Sequence, residues 1–235
     1  MFFPLKFWSV PLTVAIFANS VNSLAMELPR EAANAVLPKD CASVSRFPPL
    51  SPTIGNLSAS QAEQYTVIDN ALTRFYGNTI VTKNPDGSFT GPFGQLMYTT
   101  PTVVQNFINL NVGVAQNLPA SENEACVLAI LSVIKAPFAI YAHTILGQKA
   151  GFTLKQVKSM LAGKCPYDVT PRQAAAYKLA VKITNLRGPL DSASFDEAVS
   201  VLGRVGVEGI TQQTATSLLA VIMLNVGDIG VPVNA

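Results

Sequence analysis

The chain of 235 residues contains one histidine, His143, within the mostly apolar stretch KAPFAIYAHTILGQKAGFT at residues 135–153. An imidazole gains and loses a proton near neutral pH, so it can serve as a general acid and base. A buried histidine can equally have a structural role, with both ring nitrogens hydrogen-bonded inside the core. A lone histidine on an apolar helix face is more often structural, so the surrounding residues have to decide between the two roles.

The three cysteines are the next candidates for chemistry. Cys126 lies in the apolar run ACVLAILSVI, which predicts a buried and unreactive thiol. Cys41 and Cys165 lie in loops that contain proline, and in an oxidising compartment we expect them to form a disulfide bond. The sequon NLS predicts glycosylation at Asn56 in a secreted protein. One histidine without clustered carboxylates cannot supply a metal's ligands, so no metal site is predicted.

The first residues predict that the protein is exported. Residues 1–23 carry one charge, on Lys6, followed by an apolar run of about twelve residues that Pro11 interrupts and then by small polar residues. A membrane-spanning helix needs roughly twenty apolar residues. We therefore expect a cleaved signal peptide over residues 1–23, and a secreted protein without membrane attachment after cleavage.

The charge of the chain is low and nearly balanced. Its formal net charge is +2, and 13% of its residues are charged, against about 25% in an average domain. No run of lysine or arginine could follow a phosphate backbone, so nucleic acid is not a predicted partner. The apolar composition predicts a well-buried helical core and surfaces covered by other copies of the chain, which indicates a homo-oligomer.

Helix start and stop signals organise the rest of the sequence. Residues 24–59 are rich in proline, serine and alanine, which predicts an extended arm. Residues 60–235 are predicted to form a single all-α domain, and Ser121 with Glu124 has the spacing of one of its capping boxes. The predicted helices lie at 60–76, 101–115, 121–135, 137–149, 153–162, 171–186, 195–204 and 207–227.

A long aromatic loop, NPDGSFTGPFGQLMYTTP, separates the first two predicted helices. Most connectors in a compact domain are shorter. A loop of this length and composition either lines a pocket or covers the core. Phe93 is therefore a candidate pocket-lining residue.

Several motifs follow one another in a recognisable order. The loop contains DGSFTGPF, Leu118–Pro119 stands five residues ahead of Glu124, and Glu124 precedes His143 by nineteen positions. The segment AGFTLKQV then begins the next predicted helix. In order and spacing these motifs resemble the carboxymuconolactone decarboxylase family and its relative, the alkylhydroperoxidase D family. The resemblance covers about residues 60–230 and implies a fold of that type.

The chain also departs from both branches of that family. In the peroxidase branch two cysteines of a C-x-x-C motif carry the redox chemistry, and alanines stand at those positions here, Ala136 and Ala139. In the decarboxylase branch a glutamate commonly occupies the position of Ala139. The basic residues usual before the helix-start glutamate are replaced by residues 121–123. A thiol peroxidase is therefore the disfavoured alternative.

The resemblance implies that His143 is the catalytic acid and base and that Glu124 is its partner. Tyr141 and Ala139 join Phe93 as candidate pocket-lining residues. The implied activity is decarboxylation or isomerisation of a small cyclic or carboxylated molecule, without a cofactor. Two structural interpretations stay open: Glu124 has a sufficient role in the capping box of Ser121, and Tyr141 lies on a different helix face from His143. A non-catalytic secreted oligomer that binds an apolar small molecule is the other alternative.

Overall fold

The computed structural model describes residues 45–233 and residue 235. These residues form an all-α fold, as predicted. The helices are α1 (Ala59–Phe75), α2 (Phe93–Leu96), α3 (Pro101–Ala115), α4 (Ala120–Val133), α5 (Pro137–Lys149), α6 (Leu154–Leu161), α7 (Pro171–Thr184) and α8 (Ser192–Gly227). The predicted signal peptide at 1–23, the arm as far as residue 44, and Cys41 lie outside the described residues.

Side-chain caps explain where several helices begin. The serine or threonine before α1, α6 and α7 accepts a hydrogen bond from a backbone N–H in the first turn, and a glutamine returns the bond. The capping box predicted for Ser121 and Glu124 is wrong. Helix α4 begins directly after Pro119 and has no side-chain cap, so Ser121 lies inside the first turn instead of before it. Glu124 therefore has a different role.

Helix α8 is two helical segments in succession. Gly203, with φ of 70° and ψ of 167°, interrupts the helical geometry, and this left-handed φ is one that glycine adopts at little cost. The two segments correspond to the predicted helices at 195–204 and 207–227. The Asp191 carboxylate accepts the N–H of Ser194 at 2.8 Å and so caps the first segment.

Helix α4 lies at the centre of the fold and packs against α5, α6, α7 and α8. Its side chains from Ala125 to Leu131 are almost completely buried and belong to the larger of two apolar clusters. The smaller cluster is formed mainly by α1, the aromatic loop and α3, and includes Ile68 and Leu96. Burial of these apolar surfaces is the main force that holds the helices together. No helix of the described residues is both long and apolar enough to cross a bilayer.

The aromatic loop has both of the roles that the sequence left open. Phe89 is buried in the smaller cluster, whereas Phe93 lines a cavity. At Gly91, φ is +62°, and a Cβ atom added there would lie 2.4 Å from the Phe138 ring of α5. Only glycine lets the loop come this close to α5. The loop is thereby held against the helix that carries His143.

Candidate active site

The structure brings Glu124 and His143 into direct contact. Nδ1 of His143 lies 2.9 Å from Oε2 of Glu124. The two residues come from α4 and α5, consecutive helices that pack against each other. Each lies in the second turn of its helix, and the packing of the two helices brings these two side chains together. The nineteen-residue spacing of the sequence thus corresponds to a hydrogen-bonded pair in space.

The pair determines which nitrogen of His143 is left for chemistry. An ionised carboxylate only accepts hydrogen bonds, so the Nδ1–H of the neutral ring donates to Glu124. Nε2 is then the basic nitrogen. The His143 side chain is 23% exposed and that of Glu124 is 14% exposed, so both are accessible without being surface residues. A carboxylate in this position also stabilises the imidazolium that forms when Nε2 takes a proton.

A cavity of about 470 Å³ contains this pair in its wall. The wall combines residues of both apolar clusters with residues of α4, α5 and α8. On α5 the lining residues are Phe138, Ala139, Ala142, His143 and Leu146, which share one helix face. The two alanines leave room directly beside the imidazole. A cavity of this size is in the range that binds small organic ligands.

Tyr76 is a site residue that the sequence motifs did not reveal. It follows α1, lines the cavity, and lies with its ring centroid 6.2 Å from that of Phe93. Burial, and to a smaller extent the charge of Glu124, raise the pKa of the Tyr76 hydroxyl to about 12. The hydroxyl consequently keeps its proton at neutral pH. A tyrosine at a helix end carries no spacing signal, so only the fold could place it here.

Tyr141 corrects one sequence expectation. It is 3% exposed, it is not among the residues that line the cavity, and its hydroxyl oxygen accepts the backbone N–H of Val81 at 3.1 Å. Its ring packs edge-on against Phe138 at 6.1 Å. Two residues along a helix correspond to a rotation of about 200°, so Tyr141 points away from His143. Ala139 and Phe93 do line the cavity.

The described cysteines do not line the cavity that contains Glu124 and His143. The Cys126 side chain is completely buried, and burial raises the pKa of its thiol well above the usual range. Cys165 is half-buried and forms no disulfide bond with a described residue, and burial raises the pKa of its thiol as well. Its predicted disulfide stays a prediction because Cys41 is outside the described residues. Asn56 is exposed, and its side-chain amide donates to the carbonyl of Pro49 at 3.1 Å.

A second carboxylate on α4 forms a different kind of pair. Glu122 accepts two hydrogen bonds from Arg172 of α7, at 2.8 Å from Nε and 3.0 Å from Nη2. The Glu122 side chain is 4% exposed. Arg172 also donates to the carbonyls of Val201 and Leu202, immediately before the interruption in α8. This pair holds three helices together and lies outside the cavity wall.

Within residues 45–233 and 235, no group of three or more histidine, cysteine, aspartate or glutamate side chains is placed to hold a metal ion. No protein-family model, curated protein or solved structure matches this chain.

Proposed function

We propose that this protein is a secreted, carboxymuconolactone decarboxylase-like enzyme that performs cofactor-free acid–base chemistry on a small cyclic or carboxylated molecule. His143 is the acid and base, and Glu124 is its partner. The observation that carries the proposal is the 2.9 Å contact between these residues in the wall of a 470 Å³ cavity. The order and spacing of the motifs support it independently.

Both proposed reactions use the same proton transfer. In isomerisation, Nε2 of His143 removes a proton from a carbon next to a carbonyl, and the electron pair of that C–H bond moves to form an enolate. The imidazolium returns the proton at another carbon of the conjugated system. In decarboxylation, His143 first takes a proton from solvent; as CO2 leaves a β-keto carboxylate, the electron pair of the broken C–C bond forms the enolate, and the imidazolium gives its proton to that carbon. Glu124 stabilises the imidazolium in either case.

The peroxidase alternative lacks a suitable thiol among the described residues near the pair. Alanines occupy the C-x-x-C positions, and the Cys126 thiol is completely buried with a raised pKa, so it forms little of the thiolate that peroxide chemistry needs. A non-catalytic binder of apolar molecules is favoured by one observation, which is that most side chains of the cavity wall are apolar. It differs from the enzyme in making His143 dispensable.

The proposal includes secretion, a glycan on Asn56 and a homo-oligomeric state. An exposed apolar stripe on α8, formed by Leu219, Ile222 and Val226, is a surface that other copies of the chain can cover. Mass spectrometry of protein exported from a secretory host checks the first two features, and sedimentation checks the third. A cytosolic product that retains Met1, or a monomer at all concentrations, would contradict the corresponding feature.

Proton exchange tests the proposed chemistry without knowledge of the natural substrate. The full chain is incubated in D2O with 2-tetralone, a small cyclic ketone, and deuterium uptake next to the carbonyl is followed by mass spectrometry. We expect the wild type to speed the exchange and His143→Gln to lower its rate by about 10²- to 10⁴-fold, the usual contribution of a positioned acid–base group. Lys149→Gln, on the exposed side of the same helix, is the control. Equal rates for wild type and His143→Gln would overturn the proposal.

A further inference from the structure

The charge of the cavity wall restricts what the cavity can bind. Among the described residues that line it, Glu124 carries the one formal negative charge, and no described lysine or arginine lines the wall. His143, when protonated, already pairs with Glu124. A carboxylate ligand would therefore meet a wall that is neutral or negative, and desolvation of an unpaired charge is costly. The described wall favours an uncharged ligand.

The wall also offers a hydrogen-bond donor that no part of the fold uses. Tyr76 is half-buried and lines the cavity, and no described residue accepts a hydrogen bond from its hydroxyl. Burial and the charge of Glu124 raise its pKa to about 12, so the hydroxyl stays protonated. Tyr76, Glu124 and His143 line the same cavity. Tyr76 can thus donate to a ligand oxygen that lies near the reactive pair.

We propose that the cavity binds an uncharged, mainly apolar ketone or lactone, and that the hydroxyl of Tyr76 donates a hydrogen bond to its carbonyl oxygen. This inference rests on the proposed acid–base function and selects isomerisation as its reaction, because the substrate of decarboxylation is itself a carboxylate. When Nε2 of His143 takes the proton from the adjacent carbon, the C–H electron pair forms the C=C bond of the enolate. The carbonyl π electrons then move to the oxygen. The hydrogen bond from Tyr76 stabilises that oxygen's negative charge, and His143 returns the proton to carbon.

Three naphthalenes of nearly equal shape separate the contribution of ligand charge from that of the hydrogen bond to the ligand's carbonyl oxygen. They are 2-acetonaphthone, an uncharged ketone; 2-naphthoate, an anion; and 2-isopropylnaphthalene, which has no polar group. Binding to the full chain is measured by equilibrium dialysis. For the wild type we expect 2-naphthoate to bind at least about tenfold more weakly than 2-acetonaphthone, because of the negative wall. Equal or tighter binding of 2-naphthoate would overturn the inference about ligand charge.

Substitution of Tyr76 tests the hydrogen bond. Tyr76→Phe is expected to weaken 2-acetonaphthone binding by about fivefold to tenfold and to leave 2-isopropylnaphthalene within about twofold. The matched control is Tyr177→Phe, because the Tyr177 hydroxyl donates to the carbonyl of Met160 at 2.7 Å in the core, outside the cavity wall. An equal loss for both ligands in Tyr76→Phe would show a packing role and would overturn the proposal.

Exchange kinetics keep this inference apart from the proposed function. With 2-tetralone in D2O, Tyr76→Phe is expected to lower the exchange kcat by about 100-fold, as for the loss of one oxyanion donor. If His143→Gln abolishes exchange and Tyr76→Phe does not slow it, the role of Tyr76 is overturned and the proposed function stands. If the binding differences hold and the wild type catalyses no exchange, the ligand class stands and the proposed function fails.

Discussion

Glu122 and Glu124 lie two residues apart on α4, and their carboxylates lie in two different surroundings. Glu122 is bonded twice to Arg172 and is almost completely enclosed, whereas Glu124 is bonded once to His143 beside a cavity. A separation of about 200° around the helix places one carboxylate toward α7 and the other toward α5. The first pair joins helices, and the second leaves a basic nitrogen facing space for a ligand. A buried charge pair therefore indicates function only where its surroundings leave room for a reactant.

The largest expected effect on stability concerns the Glu122–Arg172 pair. Arg172→Met removes the partner of the buried Glu122 carboxylate, and we expect the free energy of unfolding to fall by about 1–3 kcal/mol, because the side chain of Arg172 is 45% exposed and water can reach the carboxylate once it is shortened. Denaturant unfolding measures this. Arg187→Met, at a fully exposed position, is the matched control and is expected to change stability by less than about 0.5 kcal/mol.

We also make a prediction for the activity of the folded Arg172→Met variant. Its rate of 2-tetralone exchange per folded molecule should equal that of the wild type, because Arg172 does not line the cavity. A large loss of exchange rate with unchanged stability would reverse the roles assigned to the two pairs.

The cavity-side pair should show the opposite response. Glu124→Gln removes the charge that stabilises the imidazolium but keeps a side chain of similar shape that can still bond to His143. We expect the exchange rate to fall by about tenfold to a hundredfold, less than for loss of His143 itself. The midpoint of thermal unfolding should move little, as calorimetry can measure. A loss of stability as large as that of Arg172→Met would make Glu124 a structural residue.

The same division recurs on α5, between Tyr141 and His143. Tyr141→Phe removes the acceptor of the Val81 N–H, and we expect a loss of about 1 kcal/mol in the free energy of unfolding. The exchange rate per folded molecule should not change, since Tyr141 is not part of the cavity wall. A slower exchange with unchanged stability would return Tyr141 to the site.

Much of this arrangement could be predicted from local sequence signals. Cap residues such as Thr153 and Thr170 determine where helices begin, and each forms a capping box with the glutamine three residues later. The capping box at Ser121 could not be excluded from sequence, since its residue types are correct. It fails because α4 starts earlier, after Pro119. The helix cap lies at Pro119, two residues before the predicted Ser121, and Glu124 is a partner of His143 instead of a capping residue.

Contacts between segments that are distant in the chain could not be predicted from the sequence. The pairing of Glu122 with Arg172 spans fifty residues and has no motif, and Tyr76 follows α1 but lines the same cavity as Glu124 and His143. Periodicity did separate the face of Tyr141 from that of His143. Periodicity alone did not predict which of the two faces lines a cavity, because that depends on which neighbouring helices carry small side chains.

The protonation of the His143 ring tests the central claim most directly, and the chain is well suited to it because it contains one histidine. Labelling with 15N-histidine gives NMR resonances from the two ring nitrogens of a single imidazole. At a pH where the ring is neutral, the account predicts that Nδ1 carries the proton and that Nε2 is bare. Addition of 2-acetonaphthone should shift the Nε2 resonance, and Glu124→Gln should weaken the preference for Nδ1–H. A proton on Nε2, or a ring that does not respond to the ligand, would contradict the assignment of this pair as the reaction site.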